Sequence, residues 1–282
     1  MTVNRINGEV VIFTPKIDIA SQNIKHQLLN NYDFKLREEN NLTFHFNDLG
    51  IILVDCDCDS IYADYVEDLF NAKLFIFATR HSAASGIPAL LTHAPGNWTS
   101  KAPFGGRPRS ICIAPASSLK IALIELHKAA EEYGLEDWRV GLEVTHHGPY
   151  IKNTPTMFIE LGSNEKYWRN EIAAKAIAQV VMKVAEKEVV SSNFNFKIGV
   201  GFGGPHYAPR FTKLVYESEI AIGHIVPGYV FDEITRSEVI SAISRTYEKV
   251  DFAIIEWKGL KKHHKNFLIP ILNELNMSWK RI

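Results

Sequence analysis

The chain has 282 residues, 46% of them hydrophobic and 22% charged, which allows a sizeable buried core and excludes extended disorder. Lys and Arg number 31 against 32 Asp and Glu, so a protein that coats nucleic acid by a general basic excess is excluded, although a local patch is not. Cys56, Cys58 and Cys112 are too few for a disulfide framework, and neither a signal peptide nor a run of roughly 18 apolar residues is present, so a soluble, cytoplasmic protein without membrane contact is expected.

In chain order, Val10 to Phe13 reads as a buried strand ended by Pro15, and Asp18 or Ser21 as the cap of a helix to about Leu29. Leu42 to Phe46 and Ile51 to Val54 are short apolar runs, the second leading into DCDCDS, which reads as a turn. Ala63 to Phe70 predicts a helix and Leu74 to Ala78 a buried strand. That strand opens onto TRHSAASGIPALLTHAPGNW, the kind of Gly/Pro-rich loop on which α/β proteins place function.

The basic KAPFGGRPRS stretch reads as an exposed loop. Ala116 to Tyr133 keeps helical spacing through Leu119, Ala122, Leu123, Leu126 and Ala130, with Gly134 as its stop. Val140 to Thr145 is a strand ending in HHGPY, and Thr156 to Leu161 another. Asn164 is the expected cap of a helix to about Lys187. Strands at Phe196–Val200, Ile220–Ile225 and Phe252–Glu256 follow, with helices at Ser237–Ser244 and Leu260–Leu275. This alternation predicts an α/β fold with a mixed, largely parallel sheet flanked by helices. The chain reads as one catalytic unit over 1–282, or as two lobes with a seam near 96–110.

The histidines recur at one kind of place. His81 and His93 lie in the loop after the Leu74 strand, His146 and His147 end the Val140 strand, and His206 follows the Phe196 strand. His224 sits within the Ile220 strand. A lone histidine is more often a surface or satisfied core residue. Several at strand ends are expected to converge on one edge of a parallel sheet.

In EVTHHGPY, strand alternation puts Glu143, Thr145 and His147 on one face and His146 on the other. A carboxylate that close to two imidazoles suits a divalent metal or an oriented general base. Glu160 is a charge inside an apolar strand and needs a partner such as a metal, a histidine or backbone N–H groups, the plainer reading being a buried ion pair. GFGGPHYAPRFT surrounds His206 and Tyr207 with glycines but matches neither a Walker loop nor a dinucleotide fingerprint. Ser82, Ser85 and Thr92 lie outside any G-x-S-x-G elbow, so activated water is the simpler nucleophile. KGLKKHHK, from Lys258 to Lys265, is the one basic cluster, either a solvated helix start or a phosphate-contacting patch.

Together, ATRHSAASGIPALLTHAPGNW, LEVTHHGPY, FIELGSNEKYW, GFGGPHYAPRFT and GHIVPGYVF resemble the D-aminoacyl-tRNA deacylases of the archaeal and plant type, over roughly Ala78 to Phe231. The resemblance implies a phosphorylase- and peptidyl-tRNA-hydrolase-like fold and zinc as cofactor. It also implies hydrolysis of the ester between a D-amino acid and the terminal ribose of tRNA, a quality control of translation.

On that basis His146, His147 and Glu143 are expected as metal ligands or base, and His81 and His206 as metal ligands or oxyanion donors. Glu160 and His224 complete the candidate metal set. His93, Tyr207 and the backbone of Gly203 and Gly204 are candidate substrate contacts, and Lys101, Arg107 and Lys261 would hold acceptor-stem phosphates. A monomer is the favoured expectation. The rival readings are a zinc-dependent peptidase or amidohydrolase and a non-catalytic tRNA-binding module.

Overall fold

Consecutive apolar residues, as in VVIF, IILV and LFIF, do not alternate with polar ones, so strands built from them must be covered on both faces. The computed structural model, which describes residues 5–190 and 194–282, places these runs at the centre of a large sheet. In chain order its strands are β1 (Val10–Pro15), β2 (Lys35–Glu39), β3 (Leu42–Phe46), β4 (Ile51–Cys56), β5 (Leu74–Arg80), β6 (Ala89–His93), β7 (Arg139–Leu142) and β8 (Thr156–Leu161). Their spatial order is β7-β6-β8-β5-β1-β4-β3-β2. The central β8-β5-β1-β4 group is parallel, and β7 is parallel to β6. The β6–β8, β4–β3 and β3–β2 pairs are antiparallel.

One face of this sheet is covered by α1 (Ile19–Asn31), α2 (Ala116–Glu132) and α3 (Glu171–Val190), through residues such as Ile24, Leu126 and Val181. The other carries a layer of buried phenylalanines. Phe77 stacks on both Phe13 and Phe158 at 4.9 Å between ring centroids. A second, all-parallel sheet has the order β10-β9-β11-β12, from β9 (Lys197–Phe202), β10 (Ile220–Val226), β11 (Phe252–Ile255) and β12 (Trp279–Arg281). It is accompanied by α4 (Pro209–Glu217), α5 (Arg236–Ser244) and α6 (Lys262–Glu274).

The two sheets share an apolar cluster in which Leu123, Leu142 and Val144 meet Phe211, Val215, Ile222 and Ile225. Lys120 of α2 reinforces this junction. Its buried ammonium donates to the carbonyls of Val215 (2.6 Å), Ile220 (3.2 Å) and Ser218. The 96–110 segment is a loop closed by a short antiparallel ladder between Gly96–Asn97 and Ser110–Ile111, and its Phe104 lines the cleft described below. Among the described residues, no helix is long and apolar enough to cross a membrane.

Asp18 caps α1 as expected, accepting from the Ser21 N–H at 3.1 Å. The helix expected over Ala63 to Phe70 shrinks to a 3-10 turn at Ser60–Tyr62 and a single α-turn at Val66–Leu69. Its acids are engaged elsewhere: Asp64 accepts from the Tyr150 N–H, and Glu67 from those of Lys152, Asn153 and Thr154. Asn164 heads only the short turn Glu165–Trp168, whereas α3 starts at Glu171, with Asn170 Oδ1 accepting from the Ala173 N–H at 2.9 Å. The exposed edge strand β2, the terminal β12 and helix α4 lay outside the sequence reading.

Candidate active site

Glu160 stands on the phenylalanine face of β8, paired with Thr79 of β5 and Leu91 of β6. Because β6 runs against β8, the end of β6 brings His93 opposite Phe158, one inward-facing position along the strand from Glu160. The imidazoles thus do not gather at one edge of a parallel sheet, as the sequence predicts. They meet over the sheet face, with His93 stacked on Phe158 at 5.1 Å.

β7 ends at Leu142, and the chain continues through Glu143 to His147, bridging to Pro95 beside β6. Regular alternation would send His146 and His147 to opposite faces. Instead His147 takes a φ of 44°, which breaks the alternation and turns both rings inward. Their centroids lie 4.3 Å apart, and His93 is 4.3 Å from His146 and 4.8 Å from His147. His206 arrives from the second sheet, on the segment between β9 and α4, 4.5 Å from His146.

Three of these imidazoles are held alike. Nδ1 of His146 lies 2.8 Å from the Val144 carbonyl, that of His147 2.6 Å from the Gly148 carbonyl, and that of His93 3.3 Å from the Ala94 carbonyl. A carbonyl only accepts, so each Nδ1 carries the proton and each Nε2 is left with its lone pair. That is how metal-binding histidines are oriented. His93 Nε2 and Glu143 Oε2 are buried without a hydrogen-bond partner among the described residues. Donor atoms of His93, His146 and His147 lie within 4.8 Å of one another, as do those of Glu143, His146 and His206, and of His81, Glu143 and Glu160. The donor set therefore suits a cation such as zinc, which takes imidazole nitrogen and carboxylate oxygen.

The carboxylates bind the cluster together. His206 Nε2 donates to Glu143 Oε1 at 2.7 Å. His81 Nδ1 faces Glu160 at 3.3 Å and Glu143 at 3.6 Å, while its Nε2 meets the Tyr207 hydroxyl at 3.2 Å. Burial works against protonation of His81, but its hydrogen bond to Glu160 and the two negative charges outweigh it and raise the pKa. Burial pushes the Glu160 carboxyl up, yet the surroundings outweigh this and hold it well below the usual carboxylate range, with His81 Nδ1 as its nearest donor at 3.3 Å. For His146, burial and then the neighbouring rings of His147, His93 and His206 all act downward, so it is neutral at pH 7.

His81, His146, His147, Glu160 and His206 line an open cleft of about 380 Å³, with Asp59, Ser60, Ile61, Arg80, Ser82 and Phe104. His93 and Glu143 are buried behind it. The structure thus brings His81, His93, Glu143, His146, His147, Glu160, His206 and Tyr207 together.

It leaves others apart. His224 is wholly buried: its Nδ1 accepts from the Thr145 hydroxyl (2.9 Å) and its Nε2–H faces the carbonyls of Cys112 and Arg245 (3.2 Å each). Both ring nitrogens are occupied, and burial pushes its pKa down to about 3, so it is a structural residue rather than a ligand. The Gly203 N–H is no oxyanion donor, since it donates to the Val226 carbonyl at 2.8 Å. Gly204 is packed on Glu256, where a Cβ would lie 2.2 Å from Oε2. Lys261 is outside the cleft and pairs with Asp232 at 3.0 Å. Lys101 and Arg107 are exposed on the loop whose Phe104 lines the cleft. Thr92 is buried and donates to the Phe158 carbonyl at 2.7 Å, which excludes it as a nucleophile.

Sequence reading missed Asp59, Arg80, Phe104 and Arg139. Asp59 ion-pairs with Arg80 at the cleft wall, although DCDCDS reads only as a turn. Arg139 lies over the Tyr207 ring at 4.1 Å, a contact between distant segments that leaves no local signal.

Comparison with known proteins agrees with this architecture. A crystal structure of a conserved protein of unknown function superposes with a TM-score of 0.88 at 25% identity, covering 99% of this chain and 96% of that one. D-aminoacyl-tRNA deacylase of Pyrococcus furiosus is 37% identical over 95% of this chain and 98% of its own length. The enzyme of that name from Methanosarcina barkeri is 33% identical over 96% of this chain and 88% of its own. The D-aminoacyl-tRNA deacylase family model matches residues 69–280, which include every histidine and carboxylate of the cluster. The chain belongs to the D-aminoacyl-tRNA deacylase family.

Proposed function

We propose that this chain hydrolyses the ester joining a D-amino acid to the 3′-terminal ribose of tRNA, releasing free tRNA and the amino acid in the cytoplasm. Family membership supplies the reaction class. The observation that carries the reading is the meeting of His81, His93, His146, His147 and His206 with Glu143 and Glu160 beside one open cleft. An ester needs no strong nucleophile beyond activated water, and such a cluster can take up its proton and hold it in place.

His93, His146 and His147 are the residues that would hold a zinc ion, with Glu143 as a further donor. When bound, zinc supplies Lewis acidity toward the ester carbonyl and eases deprotonation of a water. The rest falls to the chain's own side chains. His81, oriented by Glu160 through Nδ1, presents Nε2 toward Tyr207 and the cleft as general base. It takes the proton of the attacking water and returns it to the departing ribose oxygen. Its raised pKa favours that exchange near neutral pH. His206, its Nε2–H held by Glu143, lines the same cleft and helps to shape the space that the ester enters. The Arg80–Asp59 pair fixes one wall of the cleft, and Lys101 and Arg107 supply positive charge on the loop whose Phe104 lines it.

The test is a time course with D- and L-tyrosyl-tRNA, with and without prior chelation. D-selective release that fails after chelation and returns with zinc supports the reading. Cleavage of small amino acid amides without tRNA would favour a peptidase or amidohydrolase. Binding of tRNA without turnover would favour a recognition module.

A further inference from the structure

Phe104 is an anomaly by exposure: a phenylalanine 66% open to solvent, at the tip of a loop otherwise rich in Gly, Pro and Arg. Its backbone, in contrast, is pinned. The Arg109 N–H donates to the Thr99 carbonyl (2.9 Å) and closes the neck of the loop. The Gly148 N–H donates to the Phe104 carbonyl (2.9 Å), and Asn97 Nδ2 to the Gly105 carbonyl (2.8 Å). Gly105 has a φ of 73° and lies so close to the Ile61 backbone that a Cβ would come within 1.8 Å of its oxygen. Gly148, next to His147, is packed on Gly106 in the same manner. A rigid backbone thus presents a bare aromatic ring at the wall of the cleft that His146, His147, Glu160 and His206 line.

We infer that Phe104 is the stacking platform for the unpaired terminal base of the tRNA 3′ end. The inference rests on the proposed hydrolysis of aminoacyl-tRNA. The scissile ester sits on the terminal ribose, so the base attached to that ribose must lie within one sugar of the reacting carbonyl. Phe104 is the aromatic ring among the cleft-lining residues that does not belong to a histidine. Aromatic rings held over a groove bind single-stranded bases by stacking, and flanking cations take the phosphates. Lys101 and Arg107, three residues to either side of Phe104 in the chain, are exposed on the same loop. Arg107 also lies over the Tyr150 ring at 5.1 Å, which keeps its charge near the loop.

The test compares Phe104→Ala, Phe104→Leu and Phe104→Trp on D-tyrosyl-tRNA and D-alanyl-tRNA. Stacking on the base predicts that Ala and Leu raise KM about 10-fold to 100-fold, by the same factor for both substrates, with kcat near wild type. Trp stays within a few-fold of wild type. Melting temperatures stay unchanged, because the side chain is exposed. An unchanged KM for Phe104→Ala overturns the inference. So does a loss confined to D-tyrosyl-tRNA, which would place the amino acid side chain on the ring instead. Wild-type protein inert toward both substrates would overturn the proposed activity itself, and this inference with it.

Discussion

Glu143 and His206, 63 residues apart in the chain and on the segments that follow β7 and β9 of different sheets, are joined by a 2.7 Å hydrogen bond from Nε2 to Oε1. The contact fastens the loop after β9 to the segment after β7, which carries Glu143, His146 and His147. It also leaves Glu143 Oε2 buried and without a hydrogen-bond partner among the described residues, 3.9 Å from His93 Nε2. The cleft that His81, His146, His147, Glu160 and His206 line therefore depends on the junction between sheets.

Glu143→Gln keeps the shape of the side chain and removes its charge. His206 loses its anionic partner, and the donor set for a cation loses a carboxylate. The expected result is a fall in kcat of about 100-fold or more, in the range for lost acid–base catalysis. KM should move little. Steady-state kinetics on D-tyrosyl-tRNA check this, and an unchanged kcat would remove Glu143 from the chemistry.

Metal content provides a readout independent of activity. If the Nε2 atoms of His93, His146 and His147 hold zinc, the purified protein carries the metal, and His93→Ala or His147→Ala lowers its stoichiometry. Chelation should lower the melting temperature of the wild type but barely affect those variants, because a ligand that binds only the folded state stabilises it. Elemental analysis and calorimetry decide. A chelated wild type with an unchanged melting temperature and no bound metal would refute this ligand set.

His224 predicts an acid weakness of the fold. Its folded pKa, about 3, lies below the ordinary 6.5 of an accessible imidazole. Between those values the unfolded chain takes up a proton that the folded one refuses, so stability falls as pH drops from about 6.5 toward 3. The loss from this residue reaches on the order of 4 kcal/mol at the acid end. Urea unfolding of wild type and His224→Gln from pH 7.5 to 4.5 should show the shallower pH slope for the variant. Equal slopes would contradict the assignment.

Lys120 predicts a stability effect at the sheet junction. Lys120→Met leaves the carbonyls of Val215, Ser218 and Ile220 without their shared donor, at a cost of about 2–4 kcal/mol. A melting temperature lowered by about 5–10 °C is expected. A change under 2 °C would mean that water replaces the ammonium readily.

The central strands were legible because uninterrupted apolar runs such as VVIF and LFIF admit few other structures in a chain of alternating elements. The large sheet's mixed character followed from the same alternation, but the reversed direction of β6 did not. No local residue encodes it, and it is what moves the imidazoles from the sheet edge to its face. The cluster residues were legible as types, since a charge like Glu160 inside an apolar strand needs partners. His224 shows the limit of that reasoning. A histidine in a buried strand satisfied by Thr145 and two backbone carbonyls looks, in sequence, like one aimed at a metal. The left-handed turn at His147, which sets both neighbouring rings inward, is likewise visible only in the backbone. Asp64 and Glu67 read as helix residues until their carboxylates are seen binding the 150–154 backbone.

The most direct measurement is the single-turnover rate of D-tyrosyl-tRNA deacylation by wild type, His146→Ala and His147→Ala at saturating enzyme. The cluster predicts a loss of at least about 100-fold for each substitution, since each removes an imidazole from a shared set of donors. Full activity in both variants would mean that the meeting of these rings is not where the ester is broken.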